Sequence, residues 1–197
     1  MRKINNTLIL IMGILLFLLS YKYDAKASLL FKNIRLPFLD AVLSIITDFG
    51  VVVLVMLVIP SLILYKKKKK LMYLMILTFI SSIILAFVIK LIVLRQRPIE
   101  IFTHPNIGII NYPVFSILYY SFPSMHAMVA FSLLPALLNH FKKQKSFWIV
   151  FAFLVGLSRI YFGFHFLSDV VFGALFGYFI GNYLLRLYEK RKLKLWK

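Results

Sequence analysis

Apolar runs close to the length of a bilayer's hydrocarbon core recur along this chain and leave it few ways to fold. They cover residues 5–20, 43–65, 71–94, 124–141, 147–163 and 166–187, with Asp48 and Pro60 interrupting the second and Lys90 near the end of the third. A helix needs about 20 apolar residues to cross a membrane, so 197 residues hold about six such helices and their loops. The first and fifth runs are short and need snorkelling flanks or a locally thin bilayer. Composition agrees. The chain is 62% hydrophobic and 15% charged, whereas soluble domains are about 45–50% apolar and about 25% charged. This excludes a soluble domain, and a disordered chain is excluded by the same apolar content. The expectation is an all-α, six-transmembrane-helix bundle forming a single domain over residues 1–197.

The net charge of +18 raises nucleic acid as a partner, but the cations are distributed like topology signals. Arg2 and Lys3 precede the first run, five lysines at 66–70 separate the second and third, and Lys142, Lys143 and Lys145 separate the fourth and fifth. Arg186, Lys190, Arg191, Lys192, Lys194 and Lys197 follow the sixth. With six spans all of these lie on one side, which the positive-inside rule makes cytoplasmic. Both termini are then cytoplasmic in a multi-pass protein of the cell membrane. The basic blocks are separated by spans and form no continuous groove, so no nucleic-acid partner is expected. Arg2-Lys3, an apolar stretch and Ala25-Lys26-Ala27 also resemble a signal peptide. The apolar stretch is already long and the cut would fall well past its end, so a retained helix is preferred. Between the first two spans, Leu29, Leu30, Phe31, Ile34, Phe38 and Leu39 alternate with Lys26, Lys32 and Arg35. That pattern suits a short interfacial helix or a packed connector.

The other face of the membrane collects a different set. Lys90, Arg95, Arg97, His126, Arg159, His165 and Asp169 fall at the outer ends of spans three to six or in their connections. Ionisable groups at membrane depth are costly and point to function. Lys90 and Arg97 lie two helical turns apart and can share a side, and Pro98 disfavours helix at Arg97. Pro123-Ser124-Met125-His126 opens span four, where free helix N–H groups attract anions. His165 and Asp169 are one turn apart, so the carboxylate can fix the tautomer of the imidazole. Arg97 and Arg159 offer planar forks to phosphoryl oxygens, Lys90 a point charge and Ser124 a hydroxyl. The chemistry is that of a phosphate site with two histidines for nucleophilic and acid roles. Zero cysteines and the lack of an acidic cluster point to a metal-free mechanism without a cofactor. Arg95 and Lys22 read as snorkelling or headgroup contacts, His104 and His140 as structural, and Glu100 as solvated. The aromatics Phe102, Tyr112, Phe115, Tyr119, Tyr120 and Phe122 of the loop at 96–122 suit a lipid-entry wall or an aromatic belt.

Lys90-x6-Arg97-Pro98, Pro123-Ser124-x-His126 and Ser158-Arg159-x5-His165-x3-Asp169 together resemble the three-part signature of the type 2 phosphatidic acid phosphatase superfamily. The resemblance implies a metal-independent phosphatase with a phosphohistidine intermediate. It makes His165 the nucleophile, Asp169 its orienting partner and His126 the general acid, an assignment the spacing alone leaves open. Lys90, Arg97, Ser124, Met125 and Arg159 would bind the substrate phosphate. Met125 stands where the family usually has glycine. It still offers its N–H, but its side chain must point away from the phosphate or narrow the pocket.

A membrane-embedded site at the outer face implies a lipid phosphate or diphosphate as substrate, and polyprenyl diphosphate suits that leaflet best. Phosphatidylglycerophosphate and phosphatidic acid are alternatives, as is transfer to an acceptor lipid. A transporter would need charges lining a path through the bilayer, yet the ionisable residues stop in the outer half.

Overall fold

The computed structural model describes residues 6–66, 68–98 and 120–190, with side chains from Ile11 onward. All regular structure among them is helical: α1 (Asn6–Lys22), α2 (Asp24–Asn33), α3 (Pro37–Thr47), α4 (Phe49–Tyr65), α5 (Lys69–Val93), α6 (Met125–His140), α7 (Lys145–Tyr161) and α8 (Leu167–Glu189). Of the residues singled out above, Glu100, Phe102, His104, Tyr112, Phe115 and Tyr119 lie outside the described ones.

Two of these helices, α5 and α8, are long and apolar enough to cross a membrane, and α3 with α4 adds a third if the bent pair is one span. Helices α1, α6 and α7 have 17, 16 and 17 residues. At 1.5 Å per residue such helices rise about 24–26 Å, less than a hydrocarbon core of about 30 Å. Length and composition therefore support two or three spans among the described residues rather than the six expected.

The second apolar run begins earlier than expected and is broken. Asp48 adopts an extended conformation between α3 and α4 and accepts the Val51 N–H at 2.9 Å. An Asx side chain that caps the following turn competes with continuation of the helix, and the two helices diverge by 58°. Further along, Leu54–Val58 is π-helical. Pro60 has no N–H to give the Met56 carbonyl, and the ladder widens just before it.

The connector between α1 and α3 is helical, as anticipated, but with its polar side inward. Asp24 and Ser28 of α2 are buried, while Leu29 and Leu30 are exposed. The same inversion runs through the molecule. Leu62 and Ile92 are 69% and 73% exposed, whereas Ser124 and Asp169 are wholly buried. That distribution suits a chain whose solvent is lipid.

An apolar core formed by Val52, Met56, Leu74, Met75, Val129, Leu133, Leu137 and Val155 joins α4, α5, α6 and α7. The tightest union is between α6 and α8. A Cβ on Gly177 would lie 2.2 Å from the Met128 carbonyl oxygen, and one on Gly181 would lie 1.9 Å from that of Ser132. Together with Gly173 these residues form a small-residue stripe at four-residue spacing, which lets two backbones meet directly. Substituting Gly177→Leu should lower the Tm of the detergent-solubilised protein by about 6–12 °C, the equivalent of about 3 kcal/mol of overpacking. Gly13→Ala, whose new methyl would meet Leu175 at an ordinary 3.5 Å, should change it by less than about 2 °C. Thermal unfolding of both variants tests the contact.

Candidate active site

Three chain segments converge at the ends of α5, α6 and α8. Leu94, in the left-handed region at φ 49°, ends α5. The chain that follows is tied to the segment before α6, because the Ser121 N–H donates to the Arg95 carbonyl at 2.7 Å and the Ser121 hydroxyl to the Gln96 carbonyl at 2.9 Å. The Ser124 N–H in turn donates to the Asp169 carbonyl at 3.1 Å, holding the start of α6 to the start of α8. Between α7 and α8 the chain reverses at Gly163, φ 69°, and the Phe164 and His165 N–H groups both donate to the Arg159 carbonyl.

His165 is buried at the centre. Its Nδ1 is 2.6 Å from the Ser121 carbonyl oxygen. A carbonyl only accepts, so Nδ1 carries the proton and Nε2 keeps its lone pair. Burial holds this imidazole well below the ordinary histidine range, and the charges of Arg159, Lys90 and Arg97 add to the effect, so the ring is neutral. The expected bond from Asp169 to the ring is not formed. The Asp169 Oδ2 lies 3.8 Å from Nδ1 and instead accepts the Phe166 N–H at 2.7 Å. The backbone carbonyl of Ser121 accepts the ring N–H, and the carboxylate lies across a short gap.

The cations surround the two histidines. Lys90, 2% exposed, donates through Nζ to the Tyr120 carbonyl. The Arg159 Nη1 donates to the Thr47 hydroxyl at 2.7 Å. The Phe164 ring lies under both guanidinium groups, with Cζ of Arg159 at 4.5 Å and of Arg97 at 5.8 Å from its centroid. His126, on the first turn of α6, packs its ring 4.9 Å from that of Phe49. It lies within electrostatic reach of Arg159, His165, Arg97 and Lys90. Neither Lys90 nor Arg159 forms an ion pair among the described residues. The Arg159 Nε and the Ser124 Oγ are buried without a hydrogen-bond partner. Buried donors and uncompensated positive charge are costly when empty, and a tetrahedral oxyanion would satisfy both. Met125 packs its side chain against the apolar core, so it points away from these donors.

Arg95 requires a correction. It is not a snorkelling cation. Its Nη1 contacts Asp169 Oδ1 at 2.7 Å and the Ser168 hydroxyl at 2.8 Å, and its Nη2 contacts Asp24 Oδ2 at 2.7 Å. The carboxylates draw it inward. Asp24, Thr47, Ser121 and Phe164 were also missed. Asp24 had one sequence signal, being among only six acidic residues in a strongly basic chain.

The chain belongs to the PAP2 superfamily, whose family model matches residues 70–193. That stretch carries Lys90, Arg97, Ser124, His126, Arg159, His165 and Asp169. The fold is similar to that of the first transmembrane PAP2-type phosphatidylglycerolphosphate phosphatase from Bacillus subtilis. That structure is 22% identical at a TM-score of 0.69, with 96% of this chain and 98% of that one covered. It is also similar to LpxE of Aquifex aeolicus, 27% identical at a TM-score of 0.65, covering 83% of this chain and 94% of that one. A segment of 57 residues is 46% identical to the bacitracin transport permease protein BcrC of Bacillus licheniformis. This match covers 29% of this chain and 28% of that relative, so the chain spans less than a third of its length. The protein is thus a membrane member of a phosphatase family.

Replacing Arg159→Lys keeps the charge but removes the fork. Inorganic phosphate should then compete for the site about 10- to 100-fold less well, the equivalent of one or two charge-assisted hydrogen bonds. Thr47→Val, which only frees the Arg159 side chain, should have a smaller effect in the same inhibition measurement.

Proposed function

We propose that this protein hydrolyses a lipid phosphate or diphosphate at the outer membrane face through a phosphohistidine on His165. The observation that carries the reading is the set of buried donors and cations around a neutral His165: among the described residues, Lys90 and Arg159 have no ion pair and the Ser124 Oγ and Arg159 Nε no hydrogen-bond partner. With Arg97 and the first-turn N–H groups of α6, including that of Met125, these would hold the phosphoryl oxygens.

The Nε2 of His165 attacks phosphorus while the bond from phosphorus to the lipid oxygen breaks. The leaving oxygen keeps the electron pair and takes a proton from His126. The ring becomes an imidazolium, its Nδ1–H held by Ser121 and its charge offset by Asp169. Water then attacks the phosphohistidine and gives its proton to His126, and inorganic phosphate leaves. The charge on the phosphate is met by side chains throughout, so no metal takes part in the proposed steps.

Six crossings follow from the same reading, by α1, the bent pair α3–α4, α5, α6, α7 and α8. Between Lys69 and Lys90, α5 rises about 30 Å, the thickness of a hydrocarbon core. Lys69 and Lys70 thus lie about a bilayer's depth from Lys90 at the site. Basic loops favour the cytoplasm, so both termini are cytoplasmic and the site faces outward. Polyprenyl diphosphate is the preferred substrate, because it is presented at the outer leaflet and its multiple negative charges match Lys90, Arg97 and Arg159. Phosphatidylglycerophosphate is the second reading, supported by the similarity in fold to the phosphatase that acts on it.

Phosphate release from a panel of lipid phosphates by the purified protein, with chelator present, tests the proposal. Polyprenyl diphosphate should be turned over fastest, chelator should leave the rate unchanged, and His165→Ala should lower kcat by at least about 10³-fold. Undiminished turnover by that variant refutes the assignment. Adding an acceptor lipid separates hydrolysis from phosphotransfer.

A further inference from the structure

Asp24 has no place in the steps above, yet its carboxylate is buried and heavily engaged beside the site. It is 5% exposed and accepts three hydrogen bonds from two distant segments: the Ser168 N–H at 2.8 Å, the Ser168 hydroxyl at 2.5 Å and the Arg95 Nη2 at 2.7 Å. Ser168 is the second residue of α8, where a helix N–H has no intrahelical partner. The carboxylate of α2 therefore caps α8 from another part of the chain, in the place usually filled by the helix's own N-cap side chain. Phe166, at the N-cap position of α8, has no side chain able to do this.

Arg95 is held just as firmly. Its Cζ lies 4.0 Å from the Phe166 ring centroid and 5.4 Å from that of Tyr21, while its two terminal nitrogens are divided between Asp24 and Asp169. One guanidinium thus serves two carboxylates, Asp24 and Asp169. If the side chain at position 24 loses its charge, the Arg95 fork loses its second anchor and the Oδ1 of Asp169 loses a fixed partner.

We propose that Asp24 is a positioning residue: through Arg95 and Ser168 it fixes the Asp169 carboxylate and, with it, the environment of the His165 imidazole. The proposal rests on the phosphatase reading above. It requires the effect of Asp24 to reach the reaction by way of Asp169. Lys90 and Arg159 are bonded to Tyr120 and Thr47 rather than to Asp24 or Arg95, so substrate binding should be spared.

A double-mutant cycle on the full chain tests it, with phosphate release from a lipid diphosphate as the readout. Asp24→Asn should lower kcat about 10- to 100-fold, the scale of a small misplacement of a catalytic group, with KM changed by less than about twofold. The same substitution made in an Asp169→Asn background should cost little more, because non-additivity marks residues acting as one unit. Asp24→Glu should recover part of the loss. Multiplicative losses in the double variant overturn the proposal, as does a loss carried by KM. If Asp24→Asn does not fold, Asp24→Glu and Ser168→Ala carry the same cycle against Asp169→Asn. A dead His165→Ala variant beside a fully active Asp24→Asn variant refutes this inference alone, whereas an active His165→Ala variant refutes the reading beneath it.

Discussion

Direct contact between the backbones of α6 and α8 is the constraint on which the rest of the site depends. Gly177 and Gly181 leave no room for a side chain against Met128 and Ser132. With no hydrophobic force to drive helices together in lipid, close packing of this kind is the main source of affinity. The contact is aligned with the chemistry. It brings the first turn of α6, with Ser124 and His126, against the first turn of α8, with Asp169, and the Ser124 N–H closes the junction on the Asp169 carbonyl. On the proposed function, a looser union would separate the phosphate donors from His165 by more than the chemistry tolerates.

On this frame the charges are arranged in two layers about His165. One layer, made by Lys90, Arg97 and Arg159, is positive, and neither Lys90 nor Arg159 forms an ion pair among the described residues. The other, made by Asp24, Arg95 and Asp169, is closed by its own ion pairs and carries excess negative charge. The difference has a simple physical meaning. On the proposed function, the Ser124 Oγ and the Arg159 Nε stay unspent for a ligand, whereas Asp24 and Arg95 have their bonds taken up. Phe164 belongs to the first layer although it is apolar, because its ring aligns two guanidinium groups that would otherwise repel each other.

Much of this was legible in the sequence, and the exceptions have identifiable causes. The helices from α5 to α8 fall within a few residues of the apolar runs, because a sustained run with basic flanks admits few alternatives. Lys90, Ser124, His126, Arg159, His165 and Asp169 were found as polar groups with no reason to be at membrane depth. The break at Asp48 was visible only as an interruption, since whether an Asx side chain caps or points outward depends on its surroundings. The partner of His165 was misread because the acceptor is a backbone carbonyl, that of Ser121, which leaves no mark in a pattern of side chains. Arg95 was misread because its partner Asp24 is far away in the chain, and a cation near a span end looks the same whether it reaches for headgroups or for a buried carboxylate. The short helices α1, α6 and α7 left the span count unsupported by length alone, because their apolar runs are themselves short of the roughly 20 residues a crossing needs.

The cap that Asp24 provides for α8 joins residues 144 positions apart in the chain. In a protein inserted from its N-terminus, α2 takes up its position long before α8 leaves the ribosome. Until the last helix arrives, Asp24 and Arg95 lack Ser168 and Asp169, and neither His165 nor Asp169 is in place. A partly synthesised chain therefore has a lipid-facing exterior but no working centre. On the proposed function, the site is complete only with the final helix docked, so activity depends on the finished fold.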